Sequence, residues 1–180
     1  RFLSGWLKNR LEWLNAEWGE SASVEKADFT SLDFAKNYEP VVLGTYHCCE
    51  GVKTESDYVF TVTDATDPYF SILYSRSEET LSADVYRYFE ITCMAPPENS
   101  SASYTTEFFL AAGETGAPEA GKSVYASFPA DGSWHTLVLD FSQLRFWSGT
   151  IHTIRVDFFS NCAEGDVYFI KSARLLQEAP

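Results

Sequence analysis

Between Gly132 and Leu176 the chain alternates. Trp134 to Phe141, Ile151 to Phe159 and Asp166 to Leu175 each set apolar against polar residues at every second position, and Gly, Asp, Ser or Asn bound every run. A period of two is the spacing of a strand with one face buried and one face wet. Upstream, similar runs span Tyr58 to Thr63, Tyr69 to Tyr74, Val85 to Cys93, Tyr104 to Ala112 and Lys122 to Phe128, and a further strand starts at Val41 to Gly44. Loops rich in Gly, Pro and Ser separate them. The spacing predicts an all-β jelly-roll sandwich of about eight or more antiparallel strands. Residues 20–180 read as one domain.

The first nineteen residues break the pattern. Leu3, Leu7, Leu11, Leu14 and Trp18 recur at helical spacing, Phe2, Trp6 and Trp13 widen the stripe, and Gly19 ends it. An N-terminal α-helix is expected over residues 3–18. It belongs either to the sandwich or to the tail of a preceding domain.

Bulk properties narrow the function classes. The 180 residues suffice for one full core. Thirteen basic against 26 acidic residues give a net charge of −13. That charge disfavours nucleic acid, whose attraction for proteins is Lys and Arg to phosphate, and it disfavours an anionic membrane surface. No run reaches the roughly 18 apolar residues of a membrane span. A neutral glycan or a protein partner stays open. Aromatics make up 16% of the chain, including 10 Tyr and 5 Trp. They suit both a sandwich core and a sugar-facing platform.

The wording of the closing strands is specific. Asp131-Gly132 with Trp134-His135, then Trp147, Gly149, Ile151, Ile154-Arg155 and Asp157, then Gly165-Asp166-Val167 and Ile170, resembles the last strands of galactose-binding-like jelly rolls. The resemblance implies a non-catalytic carbohydrate-binding module of a larger extracellular or cell-surface bacterial protein. A polysaccharide and neighbouring domains of the parent protein would be its partners. Such domains often hold a structural calcium; Asp64, Asp67, Glu164 and Asp166 supply loop carboxylates, with no fixed calcium-loop spacing. No other cofactor is expected. The N-terminal segment is similar to the last helix of the spore-coat protein H-like kinase fold, without that family's catalytic motifs. This likeness implies an accessory domain beside a kinase-like domain.

A sugar site needs a flat ring and hydrogen-bonding groups around it. With Phe89 and Ile91 inward, Tyr86, Tyr88 and Glu90 point outward, Arg87 lies near, and Tyr125 and Tyr104 join from neighbouring strands; these are the expected ligand contacts. Arg155 and Asp157 share a strand face, and an ion pair of Arg155 with Asp157 or with Asp140 is expected. The resemblance implies that Trp134 and Trp147 pack under loops, and His47, His135 and His152 read as structural. Cys48, Cys49, Cys93 and Cys162 read as buried thiols or one structural disulfide. Asn99-Ser100-Ser101 is a glycosylation acceptor pattern. No nucleophile elbow, zinc-hydrolase motif or phosphate loop occurs. Carboxylates such as Glu90, Glu107, Asp140 and Asp157 keep a glycoside-active enzyme as an alternative if two of them converge. A structural accessory domain without a glycan site is the other alternative.

Overall fold

The computed structural model describes residues 10, 28–35, 42–74, 80–114, 116–158 and 161–180. The expected N-terminal helix, Arg10 apart, lies outside the described residues, as does its likeness to a kinase tail. Among the described residues the chain forms β1 (Ser31–Asp33), β2 (Val42–His47), β3 (Cys49–Lys53), β4 (Tyr58–Val62), β5 (Tyr69–Leu73), β6 (Tyr88–Met94), β7 (Ser103–Ala112), β8 (Ser123–Pro129), β9 (His135–Asp140), β10 (Ile151–Asp157) and β11 (Val167–Leu176). All pairings are antiparallel. One sheet runs β3-β4-β11-β6-β9, with β1 alongside β11; the other runs β2-β5-β10-β7-β8. This is the all-β sandwich that the alternation predicts.

The inward rows fill the space between the sheets. Phe89, Ile91 and Cys93 of β6 are fully buried, as are Phe108 of β7, Ile154 and Val156 of β10 and Tyr168 of β11. Phe60, Phe70, Phe158 and Tyr168 form one aromatic stack, with ring centroids 4.5 to 5.1 Å apart from one to the next. Rings at these separations gain contact beyond their area burial.

Cys48 carries the chain from one sheet to the other. It sits between β2 and β3 with φ +53°, a left-handed conformation uncommon for a side-chain-bearing residue. Its carbonyl accepts the amides of both Thr63 and Asp64, which anchors the loop before β5. A second backbone constraint explains the Trp147-to-Ile151 wording. Gly149 and Gly113 both have positive φ, and a Cβ on Gly149 would lie 3.0 Å from the Gly113 Cα. Only glycine permits that approach.

Three elements differ from expectation. Strand β6 starts at Tyr88, not Val85, because Val85 and Tyr86 donate backbone bonds to Ser82 and close a turn. Strands β1 and β3 were unmarked; β1 has three residues, and β3 is an edge strand with little alternation in burial. All four cysteines are free, Cys49 and Cys93 buried, Cys48 and Cys162 half-buried, so the disulfide reading is not met. Burial pushes the Cys49 thiol up to about 11 and the Cys93 thiol up to about 12.

Candidate functional site

The outer face of the β2-β5-β10-β7-β8 sheet carries one continuous rung. Tyr125 of β8 pairs in register with Glu107 of β7, Glu107 with Asp157 of β10, Asp157 with Tyr69 of β5, and Tyr69 with His47 of β2. The strands lie about 4.8 Å apart, so five functional side chains line up across the sheet. Glu107, Asp157 and Tyr69 point outward because their neighbours Phe108, Val156 and Phe70 are buried, and Tyr125 is itself open to solvent.

The rung is knit together. The Tyr125 hydroxyl donates to Glu107 Oε1 at 2.7 Å, and the Ser123 hydroxyl donates to the same oxygen at 2.6 Å. On the next rung Arg155 reaches back along its own strand. Its Nε and Nη2 donate to the two Asp157 oxygens at 2.7 and 2.6 Å, and Nη2 also donates to Asp67 at 2.8 Å. The guanidinium lies 3.7 Å from the Tyr69 ring centroid and 5.2 Å from that of Phe109. His47 stacks on Tyr69 at 5.4 Å and donates from Nδ1 to the Asp67 carbonyl at 3.1 Å. The result is a fixed platform with little rotamer freedom left to lose on binding.

Loop 65–68 walls one side. Ala65, Thr66, Asp67 and Pro68 face Thr105, Glu107, Tyr125 and Asp157 across a pocket of about 210 Å³. Tyr125 is 62% exposed, so its ring is open to a ligand. Burial pushes the Asp157 carboxyl above the ordinary range against the pull of Arg155, and the negative charges of Asp67 and Glu107 push the same way. The bond to Glu107 likewise raises the Tyr125 hydroxyl.

The expected contact set is divided by the fold. Tyr88 and Glu90 lie on the outer face of β6, in the opposite sheet, while Tyr125 lies in the groove. Glu90 is salt-bridged to Arg174 at 2.8 Å. Arg87 donates to the Asp84 carbonyl. Tyr86 precedes the strand, packs half-buried against the core, and gives its carbonyl to the Trp147 indole N–H at 2.9 Å. Tyr104 does not join either outer face: it is fully buried and donates to Asp166. Glu90 on β6 and Glu107 on β7, two of the carboxylates that the enzyme alternative would bring together, lie in opposite sheets. Asp140, on β9, is likewise in the sheet opposite Arg155, so the pairing falls to Asp157, and Asp67 adds a second acidic partner.

Other marked residues build the frame. Asp131 accepts the Ser133 amide and a bond from His135 Nε2, turning the chain into β9. Trp147 packs edge-on to Phe141 beneath the turn at Tyr86, whereas Trp134 is 40% exposed. His152 Nε2 bonds the Gly113 carbonyl. The Asn99 amide pairs with both the N–H and the carbonyl of Val167, which engages the nitrogen a glycan would need. Asp166 accepts from Ser100, Tyr104 and Ala163. Among the described residues no three His, Cys, Asp or Glu groups converge to hold a metal ion.

Asp157 was legible as sharing a strand face with Arg155 and Glu107 as a strand carboxylate, but Tyr69 and His47 were not marked for this face, and the convergence of these residues was not legible. Register between strands tens of residues apart assembles the rung, and no local spacing encodes it.

No protein-family model matches the chain, and no curated relative is similar to it in sequence. In structure it is similar to a low-affinity xylan-binding module, CBM86, from the xylanolytic gut symbiont Roseburia intestinalis, with TM-score 0.52 and 6% identity over 77% of this chain and 90% of that one. It is similar to a family 29 carbohydrate-binding module, with TM-score 0.51 and 12% identity over 81% and 91%. It is also similar to PfGH50B, with TM-score 0.56 and 9% identity over 86% of this chain but 24% of that one. At such identities the likeness concerns the backbone: the fold is a β-sandwich of the carbohydrate-binding-module type.

Proposed function

We propose that this domain binds carbohydrate through the groove between Tyr125 and loop 65–68, without chemical turnover. The observation that carries the reading is the rung from Tyr125 to His47. An exposed ring stands beside carboxylates already oriented by hydrogen bonds, which is the chemistry a pyranose needs for its C–H face and its hydroxyls. The likeness of fold to modules that bind xylan and other carbohydrates supports it. The small pocket suits one or two sugar units and modest affinity rather than deep enclosure.

Binding is favoured over hydrolysis by how the carboxylates are held. Asp157 gives both oxygens to Arg155, and Glu107 accepts two hydroxyls. A glycosidase needs one such group as nucleophile or base and the other carrying a transferable proton. An extracellular setting, and a larger parent protein, fit the same reading. No helix among the described residues is long and apolar enough to cross a membrane.

Titration of the protein with xylan, mixed-linkage glucan, galactan and mannan oligosaccharides, read by calorimetry and amide chemical shifts, tests this. Shifts centred on Thr105, Glu107, Tyr125 and Asp157 are expected. Shifts centred on Tyr88 and Glu90 would move the site to the opposite face, and release of reducing ends would restore the enzyme alternative.

A further inference from the structure

The groove has an electrostatic bias that whole-chain charge does not describe. Its lining residues include three carboxylates, Asp67, Glu107 and Asp157, and no Lys or Arg. The nearby cation, Arg155, is committed: it chelates Asp157, bonds Asp67 and lies against Tyr69. Asp67 and Glu107 each place one oxygen in these internal bonds, on Arg155 and on Tyr125 with Ser123 respectively. What they offer a ligand is acceptor capacity.

We infer that Glu107, with Asp67, makes the groove selective for glycans without acidic groups, and that Glu107 is its specificity-determining residue. The inference rests on the groove being the glycan site. A sugar hydroxyl donates to a carboxylate and gains a charge-assisted bond. A uronate or sulfate ester brings a further negative charge beside three, with the guanidinium already engaged. Rejection then comes from repulsion, an element of specificity separate from the attractive contacts. Tyr125 contributes to both classes alike, since a ring face contacts C–H groups whatever the charge at C6.

Matched pairs isolate the charge. Glucuronoxylan and its carboxyl-reduced form share a backbone, as do polygalacturonate and its methyl ester. Affinity electrophoresis and calorimetry at low salt should show the uncharged member of a retained pair binding about tenfold or more tighter, as expected when like charges are juxtaposed. The ratio should shrink as salt rises, because exposed charges are screened. Glu107→Gln should cut the ratio severalfold, and Asp67→Asn should cut it less. Equal or tighter binding of the acidic member overturns the inference and leaves glycan binding standing. An unchanged ratio in both variants, with native circular dichroism, also overturns it. Failure of every member of the pairs and of the neutral panel above to bind overturns the glycan-binding reading itself, and this inference with it.

Discussion

The two outer faces of the sandwich are made from the same alternating strands, yet they present different chemistry. On the β3-β4-β11-β6-β9 face, outward polar groups meet their neighbours on the next strand: Glu90 meets Arg174, and Thr92 meets Thr136 at 3.1 Å. On the β2-β5-β10-β7-β8 face, a rung of Tyr, Glu, Asp, Tyr and His runs up against loop 65–68, and the loop turns a flat surface into a groove. Alternation therefore makes outward side chains on both sides. A site arises where a loop at the end of the strands adds a wall and a charge imbalance.

The strongest test removes the keystone of the groove. Arg155→Ala leaves Asp157 and Asp67 facing each other without a cation. Because the pair is part-exposed, a loss of about 2 kcal/mol of stability is expected, below the range for breaking a fully buried ion pair. Glycan affinity should fall with it; chemical denaturation and calorimetry read the two effects. A stable variant with intact binding would show that the groove is not the organised face.

Tyr125→Ala should separate binding from folding. The ring is exposed and its hydroxyl bond is at the surface, so the melting temperature should hardly move. Affinity should drop about tenfold or more, in keeping with an aromatic anchor. The companion variant Tyr88→Ala tests the opposite face. If Tyr88→Ala weakens binding and Tyr125→Ala does not, the comparison between the faces is reversed.

Asp166 supplies a pH test away from both faces. Burial would raise its carboxyl, but bonds from the Ser100 hydroxyl, the Ala163 and Ser100 amides and the Tyr104 hydroxyl outweigh it and hold the pKa below the ordinary value. The native state thus prefers the carboxylate. Stability from this group is complete above the unfolded value of about 3.9 and is lost as pH falls through the lower native value. Asp166→Asn should cost about 2 kcal/mol at neutral pH, through poorly matched buried donors. It should also flatten the decline in melting temperature between pH 5 and pH 2 relative to the parent protein. An equally steep decline in the variant would assign the acid sensitivity elsewhere.

The smallest effect belongs to the quiet face. Glu90→Gln breaks a surface-accessible pair with Arg174, and a cost near 0.5 kcal/mol with unchanged glycan binding is expected. A binding loss comparable to that of Tyr125→Ala would erase the distinction between the two sides.

Much of the fold was legible residue by residue. Phe89, Ile91 and Cys93 announce an inward row, as do Ile154 and Val156, because a strand with one dry face must repeat every two residues. The same rule assigned Tyr88 and Glu90 an outward direction. It could not say which other strands share their face. Tyr104 and Tyr125 illustrate the limit: both lie in alternating runs, yet one is fully buried against Asp166 and the other stands open over the groove. The start of β6 was misplaced because the Ser82 carbonyl captures two amides in a turn, a competition invisible in apolar spacing.

The amino-acid order by itself determined that this chain is a two-sided β structure, that rows such as Phe89 and Ile91 face its interior, and that its net charge is acidic. Only the tertiary structure decided that Tyr125, Glu107, Asp157, Tyr69 and His47 form one line, and that Arg155, paired with Asp157 as its strand face suggests, also holds Asp67 rather than Asp140. The physical reason is the range of the forces involved. Burial of alternate side chains is decided within a few residues, whereas strand order and register join positions as far apart as Ser31 and Arg174 through the packing of the whole core.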